Sequence, residues 1–173
     1  MLTRFKPLVY SLLLIAACSP TFNWREVRED AAQVKILLPC HPDEGQRELH
    51  LPEGGTIMVK MIGCKAGEVT FALAWAEVLQ TNHAEAVLSH WKNATLANAK
   101  ARSISKTDIT LKGQGVRLNS GVVHAQGAQA NGESLEMRGL WFARNNLVYQ
   151  TLVIGPTVPE GLTEAFYSGL VLQ

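Results

Sequence analysis

The chain has 173 residues, of which 47% are hydrophobic and 18% charged, with a formal net charge of +1. A length in this range suits one domain with a core of its own. The near-neutral balance, with no run of Lys or Arg, excludes a basic face for nucleic acid and a polybasic segment for anionic headgroups.

The first element is N-terminal. Arg4 and Lys6 precede an apolar stretch over residues 8–15 that only Tyr10 and Ser11 interrupt, and Ala16, Ala17 and Cys18 follow. A transmembrane helix needs roughly 20 apolar residues. A secretory signal needs only about 7–15, ahead of small residues at the cleavage site. The run Ile15-Ala16-Ala17-Cys18, an aliphatic residue and two small ones before a cysteine, resembles the lipobox of bacterial lipoproteins. That resemblance implies a signal peptide over residues 1–17, cleavage between Ala17 and Cys18, and lipidation of Cys18 by a diacylglycerol thioether and an amide-linked acyl chain such as palmitate. An ordinary secretory signal would leave Cys18 incidental. Two or more acyl chains anchor a protein stably where one does so marginally. Ser19 stands where an Asp would favour inner-membrane retention in enteric-type bacteria, so the outer membrane is the expected address, with the domain in the periplasm. Residues 18–21 then form a lipidated tether and residues 22–173 a single domain. Without Arg4 and Lys6, the 16 basic residues become 14 against 15 acidic ones. The lipid is therefore the expected hold on the membrane.

Residues 22–27 and 35–38 have strand character, and 47–51 alternate with period two, as a half-buried strand does. Residues 52–55 form a turn. Strands over 56–64 and 68–78, joined by Lys65-Ala66-Gly67, are expected to pair antiparallel. Asn82 is a candidate N-cap for a helix to about residue 101, with Ala84, Val87, Leu88, Trp91 and Leu96 near one face. Further strands are predicted over 108–111, 116–118, 121–130, 132–143 and 147–154, the last two joined at Asn145-Asn146. A short helix over 159–168 presents Leu162, Ala165 and Phe166 inward, and 170–172 returns as an edge strand. The class implied is α+β, a twisted antiparallel sheet with one long central helix and a short C-terminal helix.

Cys40 and Cys64 remain as a pair once Cys18 is acylated. In an oxidising envelope compartment they favour a disulfide, with both cysteines near neighbouring strand ends. Closing that loop contributes about 3 kcal/mol on the chain-entropy account.

The order of elements, with the hairpin segments Trp141-Phe142-Ala143-Arg144 and Leu147-Val148-Tyr149-Gln150 and the later Phe166-Tyr167-Ser168 before Leu170, is similar to the Mog1/PsbP-like sandwich. Members of that fold mostly bind other proteins or complexes and share no catalytic centre. The resemblance implies a non-catalytic binding or accessory role with a protein partner it does not identify.

No catalytic constellation emerges. Ser89-His90 lacks the Gly-x-Ser-x-Gly elbow, and Gly113-Gln114-Gly115 lacks the third glycine of a dinucleotide fingerprint and the helix after it. Asn93-Ala94-Thr95 is a chance glycosylation sequon. The chemical alternative is an envelope copper, zinc or redox protein using Cys40, Cys64, Met58, Met61, His41 and His50, a donor set suited to soft metals. Against it, Met58 and Met61 stand three apart in a strand and so on opposite faces, and Cys40 and Cys64 form no Cys-x-x-Cys. No metal site and no cofactor beyond the lipid is expected. Trp24, Trp75, Trp91 and Trp141 fall on four separate elements and read as core.

Overall fold

The structure is a computed structural model that describes residues 21–173 except Glu53, residues 80–82, Gln114 and Ser120. The signal-like run with Ala17 and Cys18, and the candidate cap Asn82, lie outside the described residues.

Strands β1 (Arg25–Glu29) and β2 (Val34–Leu38) form a hairpin. Its turn is closed by a 3.1 Å bond from Gln33 N to Asp30 O. Next come β3 (Asp43–His50), β4 (Thr56–Ala66) and β5 (Val69–Glu77), consecutive antiparallel neighbours. Helix α1 (Ala84–Asn98) leads to β6 (Ser103–Thr107), β7 (Val116–Asn119), β8 (Val122–Ala128), β9 (Ser134–Arg144) and β10 (Leu147–Gly155). Helix α2 (Glu160–Ser168) and the two-residue β11 (Val171–Leu172) complete the order. The strands make a small sheet, β1-β2-β11, and a large one, β3-β4-β5-β10-β9-β8-β6, with β7 paired to the far half of β9.

Alternation along the central strands gives the large sheet two buried faces. On one face Phe71, Leu73, Leu140, Phe142, Tyr149 and Val153 meet Val34, Ile36 and Leu38 of β2 and Phe166 of α2. Phe142 and Tyr149, opposite each other in the register, stack at 4.5 Å and 7°, a favourable cross-strand aromatic pair. Tyr149 Oη also donates to Ala32 O at 2.8 Å, tying the β1–β2 turn to the large sheet. On the other face Val87, Leu88 and Trp91 of α1 pack on Ala74, Ala76, Met137, Trp141, Ala143 and Val148. The alanines leave room for Trp91, which is wholly buried.

The architecture is a mostly-sheet α+β fold with two sheets and two helices. It departs from the sequence reading in four places. The expected single sheet is divided: β1 and β2 form their own sheet with β11, and that sheet packs its apolar side on one face of the large one. The strand expected over 108–111 is replaced by β6 immediately before it; all five β6 residues face solvent, so no apolar alternation marked the strand. The β4–β5 turn sits at Gly67 and Glu68, one step later than expected, where Gly67 supplies a φ of +60°. Finally, α2 buries Tyr167 as well as Phe166, while Leu162 packs inward as expected but stays half-buried.

Candidate functional site

The small sheet and α2 do not cover the whole of their face of the large sheet. Beyond them, β8 and the edge strand β6 form the floor of an open groove of about 670 Å³. Its far wall is one stripe of α2, Glu160, Thr163, Glu164 and Tyr167, set at the i, i+3, i+4, i+7 spacing that aligns side chains on a helix. Residues 108–112 close one end, and Thr107, Val122, His124 and Arg138 line the floor.

The floor is fixed by hydrogen bonds. Tyr167 Oη donates to Arg138 O at 3.1 Å and lies 3.4 Å from Thr151 Oγ1, fastening α2 to β9 and β10. Burial pushes this phenol far above its ordinary range. The Arg138 side chain is only 18% exposed. One nitrogen donates to Met137 O at 3.3 Å and another lies 3.8 Å from Glu136 Oε2, whose carboxylate also accepts from Val158 N at 3.0 Å. The guanidinium is thus largely buried and held in place. His124 Nε2 lies 3.2 Å from Thr107 Oγ1. Burial first, and Arg138 second, lower the His124 pKa below 6.5, only partly opposed by Glu160. Its imidazole is therefore neutral at neutral pH. Lys112 Nζ donates to Ser168 O at 2.9 Å, so its charge is fixed to the C-terminal end of α2, where a cation is favoured.

Two features are left open. Thr163 Oγ1 is buried with no hydrogen-bond partner among the described residues. Glu160 and Glu164, exposed and one turn apart, have no cation within ion-pair distance among the described residues. Adjacent like charges on a helix cost stability unless something else meets them. The groove combines a neutral imidazole, hydroxyls, a largely buried guanidinium and two exposed carboxylates on one wall.

The residues singled out from sequence lie elsewhere. Cys40 and Cys64 are joined, with Cα atoms 5.9 Å apart, but across sheets: Cys40 follows β2 and Cys64 lies inside β4, so the bond joins the two sheets, not neighbouring strand ends of one. The same end of the chain is pinned by Asn23 N donating to Pro39 O at 2.8 Å. Met58 is 45% exposed, whereas Met61 packs at the edge of the α1-side core, on the opposite face of β4. His41 is exposed and its Nδ1 donates to Pro42 O at 3.0 Å. His50 Nδ1 lies 3.1 Å from Thr56 Oγ1 across the β3–β4 turn. His90 Nε2 donates to His50 O at 2.9 Å, which ties α1 to the end of β3, while Ser89 faces solvent. Thr95 of the sequon is turned to the sheet, with its hydroxyl 2.8 Å from Gln150 Oε1. Gly113 belongs to a turn, where a Cβ would come within 2.6 Å of Leu172 O. Trp75, Trp91 and Trp141 are buried and Trp24 packs against the core from its rim. Among the described residues no group of three or more His, Cys, Asp or Glu side chains is placed to hold a metal ion.

His124, Arg138, Thr163 and the two glutamates escaped sequence reading because each is a single polar residue within its own element. The one available signal was the polar stripe on α2 ending in Tyr167. No protein-family model matches the chain, and no curated protein sequence matches it at a significant level.

Proposed function

We propose that this protein is a membrane-anchored bacterial envelope lipoprotein, favouring the outer membrane, whose α+β domain is a non-catalytic binding or accessory module in the periplasm. The observation that carries the reading is Ile15-Ala16-Ala17-Cys18, placed three residues before Thr21. The Cys40–Cys64 bond suits an oxidising compartment, and no helix among the described residues is long and apolar enough to cross a membrane. A helix against each face of a central antiparallel sheet accords with a Mog1/PsbP-like sandwich. The groove beside α2 is the recognition surface in this reading.

In this reading the tether joins the domain at Thr21. Consecutive Cα atoms are at most about 3.8 Å apart, so a lipidated Cys18 lies within about 11 Å of Thr21. Thr21 sits against the β4–β5 turn, with its Cγ2 3.5 Å from where a Cβ on Gly67 would stand. Metabolic labelling with radioactive palmitate tests the anchor: the wild-type chain takes up label and sediments with membranes, and Cys18→Ala does neither. An unlabelled wild-type chain, or a cleaved Cys18→Ala that stays in the membrane fraction, would refute the reading.

A further inference from the structure

Sheet edges expose unpaired main-chain groups, and proteins guard them with charge, proline or cover. The outer edge of the large sheet at β3 carries Asp43, Glu44, Arg47 and Glu48, and β1, at the edge of the small sheet, carries Arg25, Glu26, Arg28 and Glu29. The opposite edge of the large sheet is different. Strand β6, Ser103-Ile104-Ser105-Lys106-Thr107, has one charge, no proline and five exposed residues, and among the described residues it pairs with β8 alone. Half the amides and carbonyls of an edge strand in an antiparallel ladder point outward. Water meets such a row of donors and acceptors group by group, and another extended backbone can meet the whole row at once.

The register shows what else such a strand would meet. Ser105 opposes His124 and Thr107 opposes Val122, so these two residues of β6 share the groove face. Ile104 opposes Ala125 and is 55% exposed on the other face. A strand added along β6 would therefore send alternate side chains toward the groove and the intervening ones beside Ile104. In the groove they would find the exposed carboxylates of Glu160 and Glu164, together with Asp108, whose one close cation among the described residues is Lys106 at 3.6 Å. The positive groups there are already engaged, Lys112 by Ser168 O and Arg138 beside Glu136.

We propose that β6 is a docking edge for an extended strand of a partner protein, with Lys or Arg side chains entering the α2 groove beside Glu160 and Glu164 and apolar ones covering Ile104. Main-chain pairing supplies affinity and the alternate pockets supply specificity. The proposal rests on the binding-module reading and names the kind of partner that module takes.

The probe is a capped peptide, Val-Lys-Val-Lys-Val-Lys-Val, with a sign-reversed control in which Glu replaces Lys. Both are titrated against the full detergent-extracted chain by fluorescence anisotropy, and hydrogen exchange is followed by mass spectrometry. Expected are binding of the Lys peptide at least tenfold tighter than the control, slowed exchange over Ser103–Thr107, and reversal of the preference in Glu160→Lys/Glu164→Lys, whose unfolding midpoint confirms that it is folded. The proposal is overturned if neither peptide binds, if binding leaves β6 exchange unchanged, or if the charge-reversed variant keeps the original preference. It is also overturned if β6 becomes protected by raising protein concentration alone, since the occupant is then a second copy of this chain. Palmitate labelling is independent of all these readouts, so failure of the anchor and failure of the docking edge are told apart.

Discussion

Gln150 Oε1 accepts a hydrogen bond from Trp141 Nε1 at 2.9 Å, directly across the β9–β10 ladder, and lies 2.8 Å from Thr95 Oγ1 on α1. Gln150 is only 5% exposed, so one buried amide oxygen ties two strands and a helix together. Gln150→Leu keeps much of the volume and removes the acceptor. The variant loses the two hydrogen bonds that Trp141 Nε1 and Thr95 Oγ1 make to that oxygen and should lose about 2 kcal/mol in urea unfolding, at about 1 kcal/mol for each bond. A loss below about 0.5 kcal/mol would show that the amide does not organise this face.

How far this fold was legible in the chain follows from what each element faces. Strands β4, β5, β9 and β10 lie at the centre of the large sheet, so burial wrote itself into their Val, Ile, Phe and Trp content and their limits were readable within a few residues. At the edge, β6 buries nothing and carried no signal. The pairing of β11 with β2, which makes the second sheet, joins Leu172 to Val34, and no local pattern encodes a contact across that separation. The groove was illegible for a related reason: His124, Arg138 and Glu160 come from three elements and acquire a joint meaning only after the sheet and α2 have packed. Cys40 and Cys64 were readable as a pair because they are the two cysteines left after Cys18, and such a pairing needs no local pattern between them.

His124 supplies the pH dependence of the groove. Burial and the Arg138 charge both disfavour its imidazolium, so the folded state resists a proton that the unfolded chain accepts near pH 6.5. This contribution to stability is fully present above pH 6.5 and declines as the pH falls below it. In an NMR titration the His124 ring signals should move with a midpoint below 6.5. Arg138→Met should bring that midpoint back upward, though not fully, since burial remains. A midpoint at or above 6.5 in the wild-type chain would remove the buried, cation-flanked environment on which the groove description rests.

The Cys40–Cys64 bond closes a separation of 24 residues and fastens the end of the β1–β2 hairpin to β4 of the large sheet. On the chain-entropy account a loop of this length is worth about 3 kcal/mol. Purified without reductant and then denatured, the protein should yield the peptides containing Cys40 and Cys64 as one linked species, with no alkylation at either. Cys40→Ala/Cys64→Ala should unfold at lower denaturant by about that amount. Its fast-exchanging amides should lie first in β1 and β2, the elements that the bond secures. Alkylation of both cysteines in unreduced protein would rule out the bond, and copper or zinc bound in proportion to the free pair would establish the metal reading in its place.

Trp91 presents a test of packing against polarity. It is wholly buried where α1 meets the large sheet, yet its Nε1 is buried without a hydrogen-bond partner among the described residues. An unsatisfied buried donor costs about 1–3 kcal/mol, which offsets part of what the large ring contributes by burial. Trp91→Phe removes that donor together with part of the ring. The two effects oppose each other, so the net change should be within about 1 kcal/mol of zero. Trp91→Ala leaves a cavity between α1 and the sheet and should cost about 3–5 kcal/mol. Urea unfolding of the two variants side by side separates the terms. If Phe is nearly as costly as Ala, the indole N–H has an acceptor in solution, such as an ordered water, and the α1 face is held by a bond as well as by packing.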